Sequence, residues 1–191
     1  MKNAKNIFYS VQSGKHEYLD TTFPEKTMIR DDDHPSSKGN LSSAKEKVTW
    51  LDSIDIRYPE NHYSLFGEEH DITGHATDIY QGQIGNCWFM HGASAVARKP
   101  GRLEKIFYNT ELSNNGIYAL RLYILGVPTT VTIDDQMPMV AGNSIFAAAS
   151  PDGALWGMLI EKAFAKLHGN YESIVSGDPR HSIEVLTGAP A

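Results

Sequence analysis

An α+β fold follows from three stretches of this 191-residue chain. An apolar run able to form a helix, Trp88 to Ala97, comes directly after Cys87. Two adjacent strand-like segments lie between Ile117 and Ile133, and a long segment from Leu155 to Leu167 repeats its apolar residues at helical period. Helical and strand-like periods therefore both occur, with the strands forming one small β-hairpin.

Composition bounds the rest. With 41% hydrophobic and 21% charged residues the chain has the balance of a soluble globular protein. Its net charge of −6 and the absence of any basic stripe argue against a nucleic-acid partner. No run approaches the roughly 18 apolar residues of a membrane span, and Met1 to Phe8 lacks the apolar centre of a signal peptide. Cys87 is the only cysteine, so no intrachain disulfide can form. Together these favour an intracellular, cytoplasmic setting. Composition alone would make a lone cysteine a small buried hydrophobe.

Taken in order, residues 1–45 read as a polar, disordered segment, because Asp31 to Asn40 is charged and turn-forming with nothing apolar to bury. The triplet Asp31-Asp32-Asp33 is a solvated charge run, with no further ligands at fixed spacing. Val48, Trp50, Leu51, Ile54 and Ile56 open the domain, placed at 46–191. Residues 57–80 form a long irregular segment, of a length that is usually functional inside a domain. Its histidines, His62, His70 and His75, match no helical metal motif and read as surface residues.

The helix after Cys87 carries Gly92, Ala93, Ser94, Ala95 and Ala97, small enough for close approach to neighbours. Asn86 is its expected N-cap, accepting an orphan N–H through its side-chain oxygen. Arg98-Lys99 suits the negative end of the dipole, and Pro100-Gly101 stops the helix. A short amphipathic turn follows, with Leu103, Ile106 and Phe107 on one side. Asn114-Asn115-Gly116 marks a turn. Val127, Thr129, Val131 and Ile133 then alternate with polar or turn residues behind a tight Leu125-Gly126 connection, as in a hairpin with one core-facing side. Ser150-Pro151-Asp152 reads as a helix start, with Ser as cap, Pro at the first helical position and Asp on the dipole. Leu155, Trp156, Leu159, Ile160, Ala163, Phe164 and Leu167 fall on one face, and Gly169 ends the helix.

The chemistry concentrates in Gln81-Gly82-Gln83-Ile84-Gly85-Asn86-Cys87-Trp88. A thiol in the first turn of a helix meets unpaired N–H groups and the positive end of the dipole, both of which favour thiolate. No CxxC occurs, which removes zinc and dithiol readings. The glycines make no phosphate loop. Arg98, the nearest arginine after the thiol, is too far along the helix for a thiol phosphatase. Thiol proteolysis further needs an oxyanion donor, a histidine base and a group orienting that base. Gln81 suits the first role: its amide has two N–H bonds and a glycine-containing turn to fold it back beside the thiol.

Gln81 to Trp88 resembles the nucleophile segment of the calpain branch of the papain-like cysteine proteases. The resemblance extends through Asp78-Ile79, Ile133 to Pro138, Ser144-Ile145-Phe146, Trp156 to Lys166, Asn170-Tyr171-Glu172 and Leu186-Thr187-Gly188. It covers about residues 46–188 and implies the cysteine-bearing, helical first half of the protease core. It implies that Cys87 is the nucleophile, Gln81 the oxyanion-hole donor and protein chains the substrates. In papain-like enzymes the His and Asn partners lie about 130–150 residues after the cysteine, whereas 104 residues follow Cys87. They are expected on a second subdomain outside this chain, leaving this chain a fragment inactive by itself. His91, four residues on along the same helix, is not expected to serve as the base, nor are His168 and His181 near helix ends. The resemblance also maps a Ca2+ site onto Asp78 and the backbone of roughly 71–74, with a second carboxylate where this chain has Ala154. A non-catalytic, calpain-like binding or scaffold module is the alternative reading. A metal protein built on eight histidines has no spacing to support it.

Overall fold

The computed structural model describes residues 4–14, 17–29, 48–52, 63–67, 79–82 and 84–190. In chain order these form α1 (Ala4–Gln12), α2 (Glu25–Met28), β1 (Val48–Leu51), α3 (Cys87–Ala97), β2 (Tyr118–Ile124), β3 (Val127–Ile133), β4 (Met137–Val140), β5 (Asn143–Ser144), α4 (Trp156–His168), a 3-10 turn (Glu172–Ile174) and α5 (Pro179–Thr187). Helices and small antiparallel sheets coexist, as an α+β fold requires.

α4 is the axis of the core. Every residue from Trp156 to Ala165 is buried, including Glu161 and Lys162, so the helix is enclosed well beyond its apolar face. Phe164 stacks on Phe89 of α3 with ring centroids 4.0 Å apart and an interplanar angle of 12°. The start of α4 corrects the sequence expectation. Ser150 to Gly153 form a turn, and the helix begins at Trp156. The backbone between them is committed elsewhere: Ser64 N–H donates to Gly153 O, Leu155 N–H to Ser64 O and Trp156 N–H to Leu65 O. Ser150 Oγ accepts the Ala154 N–H at 2.8 Å, closing its own turn.

β2 and β3 form the hairpin, in register from Tyr118 opposite Ile133 to Ile124 opposite Val127. Leu125 and Gly126 make the two-residue turn with φ of 50° and 77°, the left-handed pair that matches strand twist. The expectation of a single core-facing side needs correction at the start of β2. Tyr118, Leu120 and Leu122 enter the main core, while Ile117 and Ala119 are buried on the other face under Phe8 of α1. A second sheet, in the order β1-β4-β5, pairs Val48 with Val140 and Leu51 with Met137.

The N-terminal segment is the larger correction. Residues 4–14 and 17–29, expected to be disordered, pack on the domain, and Phe8, Phe23, Met28 and Ile29 are all buried. Asp20 N–H donates to Asp134 Oδ2 at 2.7 Å, Lys166 Nζ lies 2.5 Å from Asp20 Oδ2, and Tyr171 N–H donates to Met28 O. The apolar residues responsible are too widely spaced to stand out against the polar stretch after them. That stretch, with Asp31-Asp32-Asp33, lies outside the described residues, as do His62, His70 and His75.

Candidate active site

The site is built on the turn that enters α3. Cys87, the first helical residue, is exposed, while its neighbours Asn86, Trp88 and Phe89 are buried. Phe89 and Met90 N–H groups both donate to Asn86 O, so the helical ladder begins after Cys87 and Trp88. The N–H groups of those first two residues precede that ladder, at the positive end of the helix dipole.

Three layers hold the turn. Trp88 Nε1 donates to Ile174 O at 3.0 Å, and Ser176 N–H donates to Gly85 O at 3.0 Å. Gly177 lies against the Trp88 indole so closely that a Cβ there would come within 2.5 Å of a ring carbon. On the opposite side residues 80–82 run antiparallel to 145–148: Ala148 N–H donates to Tyr80 O, and a Cβ on Gly82 would sit 2.0 Å from Phe146 O. Only glycine permits that approach. Glu161 of α4 supplies the third layer from below, with Oε1 accepting from Asn86 Nδ2 at 2.5 Å and Oε2 from Ala147 N–H at 2.7 Å.

Asn86 therefore departs from its expected role. It occupies the N-cap position, yet its side chain makes no capping bond and turns inward to Glu161. Its Oδ1 is buried without a partner. Burial pushes the Glu161 carboxyl up to about 7, against the two N–H donors that favour its charged form. Glu161 is the functional candidate that sequence reasoning passed over. The available signal was a carboxylate beside Lys162 inside the largely apolar run from Leu155 to Ala165.

Gln81 and Cys87, six positions apart in the chain, are both exposed. Gln81 Nε2 donates to Ile84 O at 2.7 Å, and Asn86 N–H donates to the same oxygen at 2.9 Å. That bond uses one of the amide's two N–H groups. His91 is exposed on α3. His168 Nδ1 lies 2.9 Å from Phe164 O, and His181 stacks over Trp88 at 6.2 Å. Asp78 and residues 71–74 lie outside the described residues. Ala154 is buried and offers a methyl group where a hard cation would need an oxygen, so the described part of the implied Ca2+ site does not fit that ion. Among the described residues no cluster of metal-binding side chains occurs, and no helix is long and apolar enough to cross a membrane.

An exposed thiol at a helix start, its neighbours held by Ile174 O and Glu161, is placed where a nucleophile can be reached. The family model described as calpain family cysteine protease matches residues 18–191, and the chain belongs to that family. It is 30% identical over 183 residues to the calpain-type cysteine protease ADL1 of Oryza sativa subsp. japonica and 32% identical over 178 residues to the calpain-type cysteine protease DEK1 of Arabidopsis thaliana. These matches cover 93% and 92% of this chain and 8% of each plant protein. Calpain-10 of Mus musculus is 26% identical over 186 residues, covering 88% of this chain and 26% of the mouse protein. The chain thus spans about a quarter or less of the length of these relatives.

Proposed function

We propose that this chain is the nucleophile-bearing half of a papain-like, calpain-type endopeptidase core. The observation that carries the reading is the exposed Cys87 at the first turn of α3, with the exposed Gln81 donating to Ile84 O three residues before it. An imidazole supplied from outside these 191 residues takes the thiol proton. The Cys87 sulfur attacks the peptide carbonyl carbon, and the developing oxyanion is met by the Cys87 N–H and the Gln81 amide. The amine leaves with the proton returned by the imidazolium, and water then cleaves the thioester to release the acid and regenerate the thiol. Protein chains are the substrates, and the second protease subdomain is the partner that completes the site.

Reaction of Cys87 with iodoacetamide near pH 6 tests the reading. Fast, Cys87-dependent alkylation is expected, together with negligible cleavage of a denatured protein by the purified 191-residue chain. An inert thiol would instead favour a non-catalytic module, to which the Ala154 methyl also points. Appreciable Cys87-dependent cleavage would overturn the assignment of the base to another segment.

A further inference from the structure

We propose that Glu161 is a positioning residue for Cys87, one carboxylate that fixes the separation of the thiol from the Gln81 amide. The proposal rests on the peptidase reading above. Its two oxygens serve opposite sides of the site. Oε1 holds Asn86, the residue immediately before the thiol, at 2.5 Å. Oε2 holds Ala147 N–H at 2.7 Å. Ala147 belongs to the loop on which Gly82 is seated, with Ile145 O and Phe146 O inside 3 Å of where a Gly82 Cβ would be. Ser144 Oγ donates within the same loop, to Ala147 O at 2.8 Å, which keeps it stiff. Gln81 therefore inherits its place from the 145–147 loop and Cys87 from Asn86. The link between the two runs through Glu161, within the buried Trp156–Ala165 stretch of α4.

The chemistry of the pair argues against a merely structural carboxylate. Glu161 is fully enclosed, and only the Asn86 and Ala147 N–H groups favour its charge; no ammonium or guanidinium does so. The neighbouring Lys162 is committed to Asp134 and Gln136 O. Tyr171 is buried beside it, stacked on Phe146 at 3.7 Å, and the Glu161 charge raises its phenol further. A buried carboxylate costs several kcal/mol when charged and unpaired, and apolar side chains fill such space more stably. The unpartnered Asn86 Oδ1 gives the pair a second mode. When Glu161 is protonated, or replaced by Gln, a donor there reaches Asn86 after its amide turns over, and the link survives in either state.

Two variants of the 191-residue chain, Glu161→Gln and Glu161→Leu, test this by alkylation rate against pH and by amide hydrogen exchange across residues 84–88. Glu161→Gln should keep wild-type exchange protection at 84–88 and the wild-type alkylation rate, because the link to Asn86 and Ala147 survives. Glu161→Leu should lose protection at 84–88 and alkylate about tenfold more slowly at pH 6.5, as the thiol shifts from the start of α3. A folded Glu161→Gln that loses protection at 84–88 would overturn the proposal, even if Glu161→Leu fails to fold. So would a folded Glu161→Leu with unchanged exchange and rate. A slow wild-type thiol would count against the peptidase reading alone, since the exchange comparison still reports on the link.

Discussion

Lys162 Nζ lies 2.5 Å from Asp134 Oδ1, with both side chains withdrawn from solvent. The ammonium also donates to Gln136 O, while the other Asp134 oxygen takes the Asp20 N–H. Burial lowers the lysine's proton affinity, and Asp134 offsets part of that loss. Removing one member of such a pair strands the other, at a cost of about 3–5 kcal/mol. Asp134→Asn is therefore expected to shift the urea midpoint down by that equivalent. Asp134→Asn with Lys162→Met should recover much of the loss, and a double variant no better than the single would contradict the pairing.

Glu161 makes stability pH-dependent in an unusual direction. Its folded value of about 7 lies above the unfolded carboxyl value, so between the two the folded state binds more protons. Stability should therefore fall as pH rises from about 4.5 to 7, by about 3 kcal/mol if this group acted alone. Glu161→Gln should flatten that stretch of the curve. Chemical denaturation at half-unit pH intervals measures it, and a wild-type profile that rises across the window, with no difference in the Gln variant, would refute the assignment.

Phe164 joins α4 to α3 through Phe89 and lies 5.6 Å from the Trp88 ring. Phe164→Ala should cost about 3–5 kcal/mol. Phe164→Leu should cost distinctly less. Thermal unfolding followed by tryptophan fluorescence separates the two, and equal losses would show that ring stacking contributes little.

Gly82 and Gly177 are crowded on opposite sides of the turn before and after Cys87. Alanine at position 82 meets backbone oxygens that cannot rotate away; at 177 it meets the Trp88 indole. Each should cost about 1–3 kcal/mol. Only Gly177→Ala should alter the indole environment, because Trp88 would have to move from Ile174 O. A tryptophan emission shift in Gly82→Ala as large as in Gly177→Ala would disprove this division.

Much of the fold could be read locally. The small residues of α3, the left-handed turn at Leu125-Gly126 and the apolar period of α4 all act over a few neighbours. What escaped is long-range. β1 meets β4 across some 90 residues, with Val48 opposite Val140, and neither strand exceeds four residues. The start of α4 moved because Ser64 and Leu65 compete for its backbone. Within the site, Cys87 and Gln81 stood out through a contiguous motif, whereas Asn86 reads as a cap by propensity and is claimed by Glu161 from 75 positions away. Local preference lost there to a buried acceptor that needs a donor more than the helix end does.

The anchor between Asp20 and Lys166 spans 146 positions. On a ribosome adding about 5–20 residues per second, the first partner waits roughly 7–30 s for the second. During that interval Phe23, Met28 and Ile29 have no finished surface to cover them, since α4 and Tyr171 are made later. Residues 17–29 thus find their place only after α4 has been made. Assembly of the thiol-bearing turn is tied to the same late event, because Glu161 arrives with Lys166 on one helix.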